Sequence, residues 1–171
     1  MIFIYHDFAG THSTSLAAAH HLKLLTPAKG KLTREEILAV PYFNKLTKKD
    51  VGKLIFHGKD EEGNEVYTLA RRRFKEAAPL LLDFYLLLEN KYEFKDKLIL
   101  SNTSPTVPLA MTFGGLFSRG LKIDWIGVPL LIKGAQQSSE LVSKLVDHTK
   151  QAAREATEKN VITLDNKSFK I

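Results

Sequence analysis

Ile2-Phe3-Ile4-Tyr5, then His6-Asp7-Phe8-Ala9-Gly10-Thr11-His12-Ser13-Thr14, then Ser15-Leu16-Ala17-Ala18-Ala19-His20-His21-Leu22-Lys23-Leu24-Leu25 read in turn as a short buried strand, a polar turn and a helix. A strand that passes through a glycine-bearing turn straight into a helix is the start of an α/β unit. The same alternation recurs downstream. Lys97-Leu98-Ile99-Leu100 is a strand, Val107 to Leu116 a helix of small and apolar residues, and Ile123 to Ile132 a strand region interrupted by Gly127 and Pro129. A final helix is expected from about Ser138 to Glu158, and a short strand over Val161 to Leu164 in the polar tail.

Between these units the punctuation is explicit. Thr26-Pro27 and Lys29-Gly30-Lys31 break the first helix, and Thr33-Arg34-Glu35-Glu36 is a capping box that opens a brief helix to Val40, stopped by Pro41. Lys53-Leu54-Ile55-Phe56-His57-Gly58 and Glu65-Val66-Tyr67-Thr68-Leu69-Ala70, joined through Asp60-Glu61-Glu62-Gly63-Asn64, read as a hairpin. Phe74 to Glu89 is a helix that is apolar nearly all round, so it is expected either in the central layer or, through Leu80 to Leu88, in a homodimer interface. Strands alternating with helices imply parallel pairing by right-handed crossovers. The expected fold is α/β, a three-layer, mainly parallel sheet with an edge β-hairpin, Rossmann-like or P-loop-like. A length of 171 residues suits a single domain, 1–171, with the tail from about residue 159 loosely packed.

Composition narrows the chemistry. With 44% apolar and 26% charged residues the chain has the make-up of a globular protein. The absence of cysteine removes disulfides, thiolate metal sites and cysteine nucleophiles. No export signal precedes the first strand and no apolar stretch spans a bilayer, so a cytoplasmic protein without a membrane segment is expected. The net charge of +6 is scattered, its one dense cluster being Arg71-Arg72-Arg73 with Lys75. No basic helix or aromatic-interleaved basic run marks a nucleic-acid reader, so an anionic small molecule is the expected partner.

In an open parallel sheet, ligands sit beyond the carboxyl ends of the strands. Three loops are expected there: residues His6 to Thr14, Ser101-Asn102-Thr103-Ser104-Pro105, and Lys133-Gly134-Ala135-Gln136-Gln137-Ser138-Ser139. In the first, Gly10 lets backbone approach a ligand, the free amides of a helix start favour an anion, and Thr11, Ser13 and Thr14 offer hydroxyls to a phosphate or to a magnesium water. Serine and threonine before a helix also serve as ordinary caps, and the loop is not a Walker A sequence, since His12 stands where its lysine would be. His12 is the candidate proton-transfer group or nucleophile, Asp7 its orienting acid, and His6 a further candidate. As a turn residue, His12 replaced by alanine is expected to lower stability by only about 1 kcal/mol. Arg72 and Arg73 are candidate anion clamps, joined by Asn102, Ser104 and Arg119. No histidine and carboxylate spacing specifies a metal site, and any Mg²⁺ would arrive with a nucleotide.

Ile4-Tyr5-His6-Asp7-Phe8-Ala9-Gly10-Thr11-His12-Ser13, Pro41-Tyr42-Phe43, Gly58-Lys59-Asp60-Glu61-Glu62-Gly63-Asn64-Glu65-Val66-Tyr67 and Gly114-Gly115-Leu116-Phe117-Ser118-Arg119 together resemble an uncharacterised family of spore-forming Gram-positive bacteria, the Firmicutes, termed domain of unknown function 3189. The likeness extends to about Leu145. The family usually carries two glycines before Thr-His-Ser, where this chain has Ala9-Gly10. The resemblance supplies motifs and implies no activity. Two expectations therefore stand: a hydrolase or a phosphoryl or nucleotidyl transferase acting on a phosphorylated or nucleotide ligand, or a non-catalytic regulatory or interaction module.

Overall fold

A computed structural model describes residues 1–25, 31–92, 96–156 and 160–171. β1 (Ile2–Asp7) is the central strand. Phe3 and Tyr5 enter one apolar cluster and Ile4 the other, which is why the strand reads as an unbroken apolar run rather than an alternating one. β3 (Glu65–Ala70) and β4 (Leu98–Asn102) flank it in parallel. β2 (Leu54–Lys59) closes one edge antiparallel to β3, the expected hairpin, and β5 (Val161–Leu164) closes the other parallel to β4, giving the order β2-β3-β1-β4-β5. The register pairs His6 with Leu69 and Asn102 and Asp7 with Ala70, so the three parallel strands end level and their outgoing loops meet.

One face carries α1 (Ser13–His21), α2 (Arg34–Ala39), α4 (Leu109–Gly115) and the long α5 (Asp124–Glu155), packed on Phe3, Tyr5 and Val66. The capping box at the start of α2 is formed: Glu36 N donates to Thr33 Oγ1 (3.2 Å) and Thr33 N to Glu36 Oε2 (2.6 Å). The other face is covered by α3 (Ala77–Tyr92) over Ile4, Leu69, Leu98 and Leu100. Three layers result.

Several expectations need correction. Residues 123–132 are not a strand: the last helix begins at Asp124 and runs through them. Gly127, read as a strand interruption, instead lets α5 meet the turn after α4, since a Cβ there would stand 2.5 Å from Ser118 N. Gly114 on α4 is pressed against Leu131 in the same way, and Gly134 against Met111. The stretch 133–139 is thus inside a helix and forms no loop at the sheet edge. α1 begins at Ser13 and ends at His21, with Lys23 at φ +56° beyond it, while the breaks expected at Thr26-Pro27 and at Lys29-Gly30 lie outside the described residues, as does the expected end of the last helix at 158. The helix expected from Phe74 begins at Ala77, with Arg71 to Arg73 in the turn before it. α3 buries only Ala77, Ala78 and Tyr85, and Leu80, Phe84 and Leu87 are 57%, 55% and 58% exposed, so it is an outer layer and not a central one.

Candidate functional site

The loop after β1 is held by its own aspartate. Asp7 Oδ1 accepts from the Gly10 amide, and Oδ2 accepts from Ser13 Oγ at 2.7 Å. Ser13 Oγ also lies 2.9 Å from Thr103 Oγ1, and Thr103 N donates to His6 O (2.9 Å), which ties the loop after β1 to the loop after β4. The positive φ falls on Gly10, at +71°, and a Cβ there would meet Ala70 Cβ at 2.5 Å. Ala9 is not among the positive-φ residues, so one glycine suffices for the turn. The carboxylate thus takes the Gly10 amide and the Ser13 hydroxyl that were expected to face an anion, which corrects that part of the cradle. Thr11 is also committed: its hydroxyl donates to Tyr42 O (2.7 Å) and accepts from Leu46 N (3.3 Å), anchoring the segment after α2.

His12 occupies the cap position of α1 without a side-chain capping bond, and the first turn of the helix holds no acidic residue, so the negative charge at the positive end of the dipole is that of Asp7, held on Ser13 Oγ. Thr14 Oγ1 and Ser15 Oγ, in that turn, are buried without hydrogen-bond partners among the described residues. The His12 ring is 5% exposed and stands edge-on to Phe43 at 5.6 Å between centroids. Burial lowers its pKa, the Asn44 hydrogen bond and the Asp7 charge oppose that, and Arg119 adds to it, so the net shift is downward and the ring is neutral at pH 7.

The partners fix its tautomer. Arg119 Nε can only donate, and it bonds Asn44 Oδ1 at 2.8 Å, which identifies that atom as the amide oxygen. His12 Nε2, 3.2 Å from the same oxygen, therefore carries the proton, and Nδ1 keeps the lone pair. Asn44 Nδ2 donates to Ser118 Oγ (2.9 Å), which donates to Asp124 Oδ1 (2.5 Å). Nδ1 has no hydrogen-bond partner among the described residues and faces Gly115, where a Cβ would stand 3.0 Å from Cε1 and 3.5 Å from Nδ1. An oriented base beside an arginine can accept a proton or attack an electrophile.

Not every expected residue joins this centre. Asn102 is consumed by the chain: its Oδ1 accepts from Ser104 N (3.0 Å) and its Nδ2 donates to Asp165 O (3.4 Å). Arg72 lies over the Phe8 ring at 5.2 Å, next to the loop after β1, and Arg73 is exposed in the adjoining turn. Among the described residues Arg71, Arg72, Arg73 and Arg119 have no carboxylate within ion-pair distance. His6, even-numbered on β1 like Ile4, points to the α3 side, away from His12, with Ser104 on the loop beyond β4. Among the described residues no group of three His, Cys, Asp or Glu could hold a metal ion.

Asn44 and Asp124 escaped the sequence reading, and Thr103, Gly115 and Ser118, though within stretches it singled out, were given no role of their own. Asn44 sits at φ +52° after Phe43, a conformation asparagine tolerates better than most residues and one that only the structure reveals. A family model described as protein of unknown function (DUF3189) matches residues 2–151. No curated protein and no solved structure matches the chain.

Proposed function

The chain belongs to the DUF3189 family, whose description carries no activity, and from the chemistry of its site we propose that it binds a phosphorylated ligand, a nucleotide included, at the carboxyl edge of β1 and acts on it as a hydrolase or as a phosphoryl or nucleotidyl transferase. The observation that supports this is the hydrogen-bond chain that leaves His12 Nδ1 with its lone pair beside Gly115 and ties Arg119 to the same Asn44. The ligand's anionic group binds over His12 at the start of α1, Arg119 and Arg72, with Asp7 positioning Ser13 rather than touching the ligand. Strand, turn and helix then work in a Rossmann-like or P-loop-like manner, with helix amides facing the anion. A magnesium ion accompanying a nucleotide would be held chiefly by phosphate oxygens and water.

A non-catalytic, ligand-sensing or interaction role is the second reading, favoured by the Asp7 carboxylate that fills the turn at Gly10 and Ser13. Thermal shift and calorimetry with inorganic phosphate, ADP and ATP, with and without Mg²⁺, separate the readings. A ligand at a hundred times its Kd stabilises by about 2.7 kcal/mol, and Arg119→Ala should remove most of the part that comes from binding over His12. Turnover of a phosphate ester should fall about 100-fold or more in His12→Ala. Binding without turnover supports the sensing role, and no binding of any of these probes rejects both ligand readings.

No helix among the described residues is long and apolar enough to cross a membrane, and we place the protein in the cytoplasm. We also assign the exposed face of α3, residues 80–88, to a homodimer contact. Antiparallel pairing of two such helices would set Arg73 and Lys75 of one copy near Glu89 of the other. Sedimentation should give a dimer that Leu80→Glu/Leu87→Glu dissolves, and a monomer in the parent chain would exclude it.

A further inference from the structure

On the α3 side of the sheet, across β1 from His12, His6 is 5% exposed, and neither Nδ1 nor Nε2 has a hydrogen-bond partner among the described residues. Buried polar atoms are nearly always paired, so an imidazole orphaned at both nitrogens calls for an explanation. Its surroundings supply one. Arg71 is half-buried, its backbone N–H pinned to Asp7 O at 2.9 Å. Its guanidinium makes only long contacts, 3.4 Å to Ser104 Oγ and 3.4 Å to Arg72 O, with no carboxylate within ion-pair distance among the described residues. The charges that reach the His6 ring are those of Arg71 and Asp165, and Asp165 is paired with Lys167 at 3.4 Å.

We propose that His6, Arg71 and Ser104 form a second oxyanion site, separate from His12 and Arg119, that takes the phosphate or carboxylate group of a small molecule. The guanidinium supplies a planar fork for two oxygens, Ser104 a hydroxyl, and the imidazole a ring N–H. Burial holds the ring neutral, with a pKa of about 4, so at neutral pH it offers one donor and one acceptor. An anion bound between the ring and Arg71 would favour the imidazolium and draw that pKa upward. The site does not depend on the reading of His12, because His6 points to the opposite face of the sheet.

The test is a nitrogen-15 NMR titration of the His6 ring in the full chain, with sodium phosphate in one arm, sodium acetate in a second and sodium chloride at matched ionic strength as control. Saturable shifts of the His6 nitrogens are expected with phosphate or acetate but not with chloride, together with a rise of its pKa by about a unit or more. A response to phosphate alone identifies a phosphoryl group, and one to acetate a carboxylate. Arg71→Lys should weaken binding about tenfold by removing the fork, Ser104→Ala should weaken it without disturbing the strand, and Arg119→Ala should leave the His6 response unchanged. Ring signals that ignore both anions, or that shift in Arg71→Ala just as they do in the parent chain, overturn the proposal whatever His12 does.

Discussion

Replacing Gly10 by alanine should lower stability by more than any left-handed conformation alone explains. At φ +71° an L-residue is disfavoured by about 1 kcal/mol. The new Cβ would also stand 2.5 Å from Ala70 Cβ and 2.7 Å from both Ala70 Cα and N. Ala70 cannot retreat easily, because it is in register with Asp7 and its carbonyl accepts from Gly52 N at 3.0 Å. Forcing that overlap adds about 1–3 kcal/mol, for about 3 kcal/mol in all. Gly52 and Gly63 are internal controls: their φ values are +77° and +79°, and a Cβ at either meets nothing within 4 Å. Gly52→Ala and Gly63→Ala should therefore cost only about 1 kcal/mol each. Urea unfolding of the three variants isolates the difference, about 2 kcal/mol. A Gly10→Ala protein no less stable than Gly63→Ala would show that the loop after β1 is not pressed onto β3.

Gly115→Ala separates site from fold. Its helical φ of −64° favours alanine by about 0.5–1 kcal/mol, offset by the His12 contact, so stability should change little while phosphate affinity falls about tenfold; unchanged affinity would clear Gly115 of any role beside Nδ1. His12→Ala should cost about 2–4 kcal/mol, more than its place in a turn suggests, because the ring is buried against Phe43 and bonded to Asn44; a loss under 1 kcal/mol in denaturant titration would deny that packing. Burial holds His6, His21 and His57 near a pKa of about 4. Unfolding restores a value near 6.5, so the unfolded chain binds more protons between these limits. Stability is full above pH 6.5 and falls as pH drops toward 4, by up to about 3 kcal/mol per ring; urea midpoints flat from pH 7 to 4.5 would contradict this. Leu16→Ala, in the core behind the loop, should cost about 2–5 kcal/mol without altering ligand affinity per folded molecule.

The strand, turn and helix from Ile2 to His21 were legible because β-branched and aromatic residues give way to a glycine turn and then to alanine and leucine at helical density. The hairpin was legible from Asp60 to Asn64, whose turn is tied by Asp60 Oδ1 accepting from Glu62 N and Asn64 N. Residues 123–132 misled because an apolar run with Gly127 and Pro129 suits a buried strand and a close-packed helix equally; what decides is Met111, Gly114 and Ser118 across the interface, and no local pattern contains them. α3 misled differently, since apolar residues all round suggest burial whether or not a partner covers them. At the site, His12 and Arg119 could be read as candidates from their own stretches. Asn44, which joins them from 32 residues beyond His12, could not, because a contact across the chain leaves no periodicity.

The most direct test of the proposed site is the nitrogen-15 spectrum of the His12 ring at neutral pH, with and without inorganic phosphate or a nucleotide. A neutral ring protonated on Nε2 is expected, with an unprotonated Nδ1 whose resonance moves saturably as the anion binds in the parent chain and hardly moves in Arg119→Ala. A ring protonated on Nδ1, or an Nδ1 resonance that no phosphorylated compound displaces, would contradict the assignment of His12 and Arg119 to a phosphate site.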